Sequence, residues 1–392
     1  MEFRNLTPFS VMEYAMDDKQ DERHHAIVMK IGFRLVKGDD GRWSTRLIEN
    51  PALPLCLTDE FSGEINHSPV LRESDLAPFK PACDVIVNGT AYTPGGEASP
   101  EMTAAVLIRA SDGKVLLDKK LRISGRRFYR QQPLTQRWYE TEPEPFTSLP
   151  LDYRYAFGGE CRIEADSEYA DRIPQDFLLT DAQRNEHPEK HNPPLAHTVC
   201  PLNPLGLGYM PSWYLNACDL REAEAPQIAS PDAPFTLEHF LDVCSGEADW
   251  SAAALQPAGF GAVGRTWQPR LPLAGTYDEN WLKKRHPALP EDFNFRYWNC
   301  APQDQQIPFP APGATVILSG FRPDGDITFA LPNNQALILL RMQTGEMVPQ
   351  LMWTDTLLID TEALTVEQTC RYVLPVKSSV RVMEARYHIS GE

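Results

Sequence analysis

Residues 102–123, MTAAVLIRASDGKVLLDKKLRI, decide the fold class. Two runs, Met102–Ala110 and Lys114–Ile123, alternate apolar with polar side chains at a period of two. That period turns one side of an extended chain toward a core and the other toward polar surroundings. The link between them carries Asp112-Gly113, a strong hairpin signal because glycine accepts a positive φ without a steric penalty. The sequence therefore predicts an antiparallel pair here.

Working outward, His25–Val36 (HAIVMKIGFRLV) and Cys83–Tyr92 (CDVIVNGTAY) read as further strands. Residues 1–140 thus form an N-terminal antiparallel β region. Strand character returns in residues 314–392, in Ala314–Gly320, Ile327–Ala330, Ala336–Arg341, Asp355–Asp360, Thr369–Pro375 and Ser379–His388. Turn signals at Pro323-Asp324-Gly325 and Pro332-Asn333-Asn334 punctuate that region. Between the two, residues 141–320 hold 22 of the 35 prolines, which remove amide donors too often for long helices or central strands. Residues 141–313 read as loops with short helices at Thr236–Cys244 and at Asp278–Arg285, where acids lead and bases close. The expected fold is mainly β, with antiparallel sheets in sandwich-like packing and a long Pro-rich middle. Whether the C-terminal strands complete the N-terminal sheet or build a second one is open at this level, because pairing over such separations leaves no local trace.

The 392 residues are 42% hydrophobic and 23% charged, ordinary globular usage that suffices for a large core. With 54 acidic against 37 basic residues the formal charge is −17, which disfavours nucleic acid, since affinity for phosphates rests on cations that displace counterions. The opening MEFRNLTPFSVMEYAMDD has no cationic stretch followed by an apolar one and brings in Glu13, Asp17 and Asp18, so no signal peptide is predicted. No apolar run approaches the ~18 residues of a membrane span. The expectation is a cytoplasmic protein with neither membrane nor nucleic acid among its partners. Eight cysteines, Cys56, Cys83, Cys161, Cys200, Cys218, Cys244, Cys300 and Cys370, are scattered without a CxxC pair and read as reduced thiols, mostly core fillers.

The chemistry-bearing motifs are few. His187, His191, His197 and Cys200, in NEHPEKHNPPLAHTVCP with Cys161 and His286 as distant candidates, offer imidazole and thiolate to zinc, but the H-x3-H-x5-H-x2-C spacing matches no standard site and reads as a polar surface loop. Residues 259–264, GFGAVG, satisfy GxGxxG yet precede Trp267-Gln268-Pro269, not a helix, and read as a turn. No GxSxG elbow is present. Neither metal nor cofactor is expected. More unusual are aromatics beside glycine and arginine, at Tyr153–Gly159, Trp267–Arg270, Tyr277, Trp281 and Phe293–Trp298, groups that either hold irregular chain down or form protein–protein contacts.

Several of these strings, in order and spacing, resemble domain-of-unknown-function family 2169. They are Leu149–Gly159 (LPLDYRYAFGG), Asn203–Tyr209 (NPLGLGY), Pro257–Gly261 (PAGFG), Trp267–Arg270 (WQPR), Ala274–Asp278 (AGTYD) with Trp281, and Leu289–Phe293 (LPEDF) continuing to Ala301–Gln305 (APQDQ). The likeness runs from Asn5–Phe9 through Leu76–Pro81 and Asp84-Val85 to Asp355–Asp360. Where members of the family usually carry a Trp-Arg pair in the penultimate strand, this chain has Thr369-Cys370-Arg371-Tyr372. The resemblance implies a type VI secretion adaptor or chaperone that binds a PAAR-containing effector or a VgrG protein and helps load the effector on the spike. It implies no catalytic residues.

On that reading Tyr153, Arg154, Trp267, Arg270, Tyr277, Asp278, Trp281 and Asp292 form a structured cluster near the partner surface, with Arg154 and Arg270 pairing to Asp278 or Asp292. The alternatives are a hydrolase or carbohydrate-active enzyme using Asp278 and Asp292 as an acid–base pair, and a structural component of the secreted spike.

Overall fold

The computed structural model describes residues 1–17, 22–189, 191–376 and 379–389; Asp18 and Lys190, quoted above, lie outside them. The fold is mainly β, with 39% strand against 14% helix. The Asp112-Gly113 hairpin forms as its residues dictate. Gly113 takes φ +88°, its N–H donates to Ala110 O at 2.9 Å, and the Ala110 N–H donates to Lys114 O at 2.8 Å.

The longer strands are β1 (Glu2–Asn5), β2 (Ser10–Asp17), β3 (Arg23–Lys37), β4 (Trp43–Ile48), β5 (Cys83–Asn88), β6 (Glu101–Arg109), β7 (Val115–Ser124), β8 (Thr315–Ser319), β9 (Ile327–Ala330), β10 (Asn334–Met342), β11 (Met347–Leu351), β12 (Trp353–Asp360), β13 (Thr365–Pro375) and β14 (Val380–Ile389). They make three sheets. A seven-stranded one runs β2-β3-β13-β12-β5 and ends on Gln306–Ile307, with β4 also on β3; a five-stranded one runs Ile228–Ala229, β7-β6-β8-β9; a four-stranded one runs β1-β14-β10-β11. Pairs are antiparallel except β12 with β5 and β1 with β14. The N- and C-terminal strands therefore share sheets: β13 lies between β3 and β12, and β8 pairs with β6.

The expected strand Cys83–Tyr92 divides at Gly89. The first half joins the large sheet, whereas Thr90–Tyr92 pairs with Ser148–Pro150. A Cβ at Gly89 would lie 2.0 Å from Thr361 Oγ1, so the chain turns where only glycine fits.

Alternation sorts the seven-stranded sheet into two faces. Ile27, Met29 and Ile31 of β3, Val85 and Val87 of β5, and Leu357 and Ile359 of β12 belong to one core with Val106 and Ile108 of β6, Leu121 of β7, Ile338 of β10 and Met383 of β14. Each such side chain contributes about 1.5–3 kcal/mol on leaving water. The other face carries the charges described below.

The Pro-rich middle packs its own smaller cores on this scaffold. Helix α1 (Asp181–Glu186) and α2 (Ser212–Ala217) add to the two expected helices, α3 (Leu237–Ser245) and α4 (Glu279–Lys284). Thr236 opens α3, Gly246 closes it at φ +81°, and Phe240 stacks on Tyr129 at 4.6 Å. Asp278 caps α4 by accepting the Trp281 N–H at 2.7 Å, and Glu279 and Lys283–Lys284 sit at the ends that the helix dipole favours.

At the junction of scaffold and middle, a Cβ on Gly125 would fall 1.7 Å from Glu144 O. Gly125→Ala is expected to lower stability by about 1–3 kcal/mol, as overpacking against fixed backbone does. Urea denaturation measures it; an unchanged midpoint would show that the segment around Glu144 moves freely.

Candidate functional site

The far face of the seven-stranded sheet presents Lys30, Asp84, Thr356, Glu367, Thr369 and Arg371, a period-two pattern that reads as solvent-facing, yet the structure buries all of them but the half-buried Thr356. Residues 56–82 and 262–301 cover this face and bring opposite charges with them. Lys30 meets Asp75 at 2.7 Å and Glu367 at 3.5 Å; Arg72 meets Glu367 at 2.6 Å; Lys80 meets Asp84 at 2.8 Å; Arg371 meets Asp355 at 2.6 Å. Arg265 reaches Asp59 at 2.9 Å and Glu73 at 3.4 Å, and Arg270 is paired with Glu73. Six cations thus meet six carboxylates in this layer, and Lys30, Arg72, Lys80 and Arg371 with Glu73, Asp75 and Glu367 line a cavity of about 20 Å³, room for a single water.

Burial alone would depress the Lys80 ammonium, but the charge and hydrogen bond of Asp84, with the charge of Asp355, together outweigh it and hold it above its ordinary value. Burial pushes the Tyr14 hydroxyl up to about 12; it donates to Ala77 O and accepts from Arg371 at 2.6 Å. Such a neutralised, hydrogen-bonded layer fixes the cover in one register on the sheet.

The family-like strings knit the cover together where regular structure is missing. Tyr153, 1% exposed, packs edge-on against Trp267 at 5.1 Å and donates to Gly261 O at 2.9 Å. Asn203 donates to Tyr153 O at 2.8 Å and Phe157 O at 2.9 Å. Gln305 donates to Val85 O at 2.7 Å and Phe260 O at 3.0 Å, and the Gln268 N–H donates to Pro201 O at 2.8 Å. Residues 259–264 bend at Phe260-Gly261 beside β5 and form neither strand nor helix, with the Val87 N–H donating to Phe260 O at 3.0 Å. They line no helix N-terminus.

These strings open onto a groove of about 750 Å³. One wall is Lys119–Leu121 of β7; the others are residues 253–258, 269–273 and 294–306. Pro257, Ala258, Pro269, Arg270 and Ala301–Asp304 of the quoted strings all line it. Lys119 donates to Asp304 at 2.9 Å, and burial lowers its pKa against the opposing pull of that carboxylate.

The expected cluster separates into three parts. Tyr153, Trp267 and Arg270 are buried together in the cover. Arg154 is exposed and pairs with its neighbour Asp152 at 2.7 Å, and Arg270 pairs with Glu73; neither meets Asp278 or Asp292 as expected. Both arginines find other carboxylates nearer: Asp152 caps the Tyr153–Tyr155 turn, and Glu73 lies within the covered layer. Tyr277, Asp278, Trp281 and Asp292 belong to a separate module. Trp281 packs between Tyr277 at 4.7 Å and His286 at 5.3 Å and donates to Ala288 O at 2.8 Å. Asp292 accepts the Thr276 N–H at 2.9 Å and the Thr276 hydroxyl at 2.8 Å. With Asp278 capping α4, both carboxylates proposed as an acid–base pair close local turns. The buried charges Lys30, Glu73, Asp75, Glu367 and Arg371, and the groove cations Lys120 and Arg296, were not singled out from the sequence. Nothing local marks the buried charges, because their partners lie elsewhere in the chain, and nothing local sets the two groove cations apart from other exposed lysines and arginines.

The histidines do not form a loose surface set. The Glu189 N–H donates to His187 Nδ1 at 3.1 Å, so the His187 proton sits on Nε2 and donates to His197 Nδ1 at 3.0 Å; His197 Nε2 in turn donates to Glu160 at 2.9 Å. His187 is buried, His191 exposed, and Cys200 buried in a separate apolar cluster. Among the described residues no group of three or more His, Cys, Asp or Glu side chains is arranged for a metal. Six of the eight cysteines are buried and the other two half-buried.

Burial, then the neighbouring His197, lowers the His187 pKa below 6.5. A folded-state value below the unfolded one makes the relay's contribution complete above pH 6.5 and progressively lost as pH falls beneath it. The hydrogen-exchange protection of residues 191–199, taken relative to the intrinsic rate at each pH, is expected to fall on acidification through that range. Equal protection on both sides of it would show that the relay does not hold the loop.

No curated protein and no solved structure matches the chain. The model of the DUF2169 family, described as an uncharacterized protein conserved in bacteria, matches residues 20–371, which is most of this sequence, and the chain belongs to that family.

Proposed function

We propose that this protein is a cytoplasmic type VI secretion adaptor, which binds an effector through its PAAR or N-terminal region and helps load it onto the VgrG spike without catalysing a reaction itself. The observation that carries the reading is the use made of the family-like strings. They are spent on holding irregular chain rigid around one groove of about 750 Å³, and a preformed groove binds a client segment at low cost in ordering. The covered charge layer beneath it adds the stiffness that such a surface needs.

The test is affinity purification from cells expressing the protein at native level, with bound proteins identified by mass spectrometry, alongside a secretion assay in a strain lacking the gene. Enrichment of a PAAR- or VgrG-bearing toxin, with that toxin retained in the deletion strain, is expected. Export of this protein in stoichiometric amount with VgrG would make it a spike component instead. Retention of a small molecule with no such partner would overturn the adaptor reading.

A further inference from the structure

The groove runs against the charge of the chain that forms it. The protein as a whole carries −17, but the groove is lined by Lys119, Lys120, Arg270 and Arg296 against one carboxylate, Asp304. Two of these cations are already used, Lys119 by Asp304 and Arg270 by Glu73. Lys120 and Arg296 are exposed and make no ion pair among the described residues. The groove therefore offers two uncompensated positive charges.

The rest of the lining is largely apolar, with Pro257, Ala258, Leu273 and Pro302. A small anion would use the cations alone and leave the apolar lining bare, and a nucleic acid needs a cation at each of several phosphates. An extended peptide whose acidic side chains alternate with apolar ones uses both the cations and the apolar lining.

We propose that the groove binds an acidic, apolar-studded segment of a partner protein in extended form, with Lys120 and Arg296 meeting its carboxylates. The inference rests on the adaptor reading only for which protein carries the segment. The acidic surface elsewhere repels such a segment at short range, so binding is confined to the groove.

The experiment titrates the full chain into a fluorescein-labelled peptide of interspersed Asp, Glu, Leu and Pro, and into its counterpart with Lys in place of each acid, reading anisotropy. The acidic peptide is expected to bind, to weaken about tenfold or more in Lys120→Glu/Arg296→Glu, and to weaken on raising salt to about 0.5 M. Lys120→Gln/Arg296→Gln, with an unchanged melting temperature, should lose affinity in the same direction, which separates charge from misfolding. Equal binding of the two peptides, binding of neither, or full displacement of the acidic one by inorganic phosphate would overturn the proposal. If purification yields the secretion partner but its capture is indifferent to the charge reversal, this inference fails and the adaptor reading stands. If the peptide results hold and no secretion partner is found, the adaptor reading fails and the groove assignment stands.

Discussion

Asp84→Ala is expected to lower stability by about 3–5 kcal/mol, the loss that follows when one partner of a buried ion pair is removed. Asp84 is fully buried on β5. Its Oδ2 accepts from Lys80 Nζ at 2.8 Å and the Cys300 N–H at 3.0 Å; its Oδ1 accepts from Asn299 Nδ2 at 3.0 Å and the Ala301 N–H at 3.1 Å. Alanine would strand a buried ammonium and two backbone donors, each unmet donor adding about 1–3 kcal/mol. Asp84→Asn fails for a related reason, since one acceptor becomes a donor facing donors. Lys80→Met should be milder, because three uncharged donors still satisfy the carboxylate. Urea denaturation followed by tryptophan fluorescence measures all three. A loss under about 1 kcal/mol for Asp84→Ala, the ordinary size for a single substitution, would mean that residues 299–301 hold themselves. Those residues lead directly into the groove wall, so the same variant should also weaken the groove.

Much of the scaffold was legible because its signals are local. The Asp112-Gly113 hairpin, the alternation in β3, β6 and β7, and the charge polarity of α4 all lie within a few residues of what they determine. The short edge strands β1, β4 and β11 were not read: β1 and β11 are four or five residues long, and β11 carries Pro349. The parallel pairing of β12 with β5 joins Thr356 to Asp84, a separation over which no sequence period survives.

The buried layer failed to appear for a different reason. In β13, Glu367, Thr369 and Arg371 alternate with Val366 and Cys370, the same pattern a strand shows when one face meets water. Only the cover distinguishes the two cases, and it is built from irregular chain with no period of its own. The family-like strings gave its position, but they did not show which of their residues face inward. Tyr153 and Trp267 turned out to be internal fasteners, whereas the exposed cations of the groove stand in or beside the strings and have no motif of their own.

Arg270 separates those two roles within one string. Its guanidinium pairs with Glu73, donates to Val263 O at 2.6 Å and to Tyr297 O at 2.7 Å, and lies 5.6 Å from the Tyr297 ring centre. It therefore ties three segments of the cover; burial alone would lower its pKa, but the charge and hydrogen bond of Glu73, with Asp84 beyond, together hold it above its ordinary value. Arg270→Met is expected to cost about 3–5 kcal/mol because Glu73 is left buried with only the longer contact to Arg265. Adding Glu73→Gln should recover a sizeable part of that loss by removing the stranded charge, a coupling that a double-mutant cycle reads directly. Arg270→Lys should rescue little, since one ammonium on a flexible stem does not reproduce a planar fork holding three acceptors. High salt should leave these differences in place, because a buried pair is weakly screened. A lysine variant as stable as the native protein would reduce Arg270 to a point charge. If the expected order holds, Arg270 acts on any partner only by positioning the groove, and its loss should lower the melting temperature and binding together, whereas the Lys120 and Arg296 substitutions should lower binding alone.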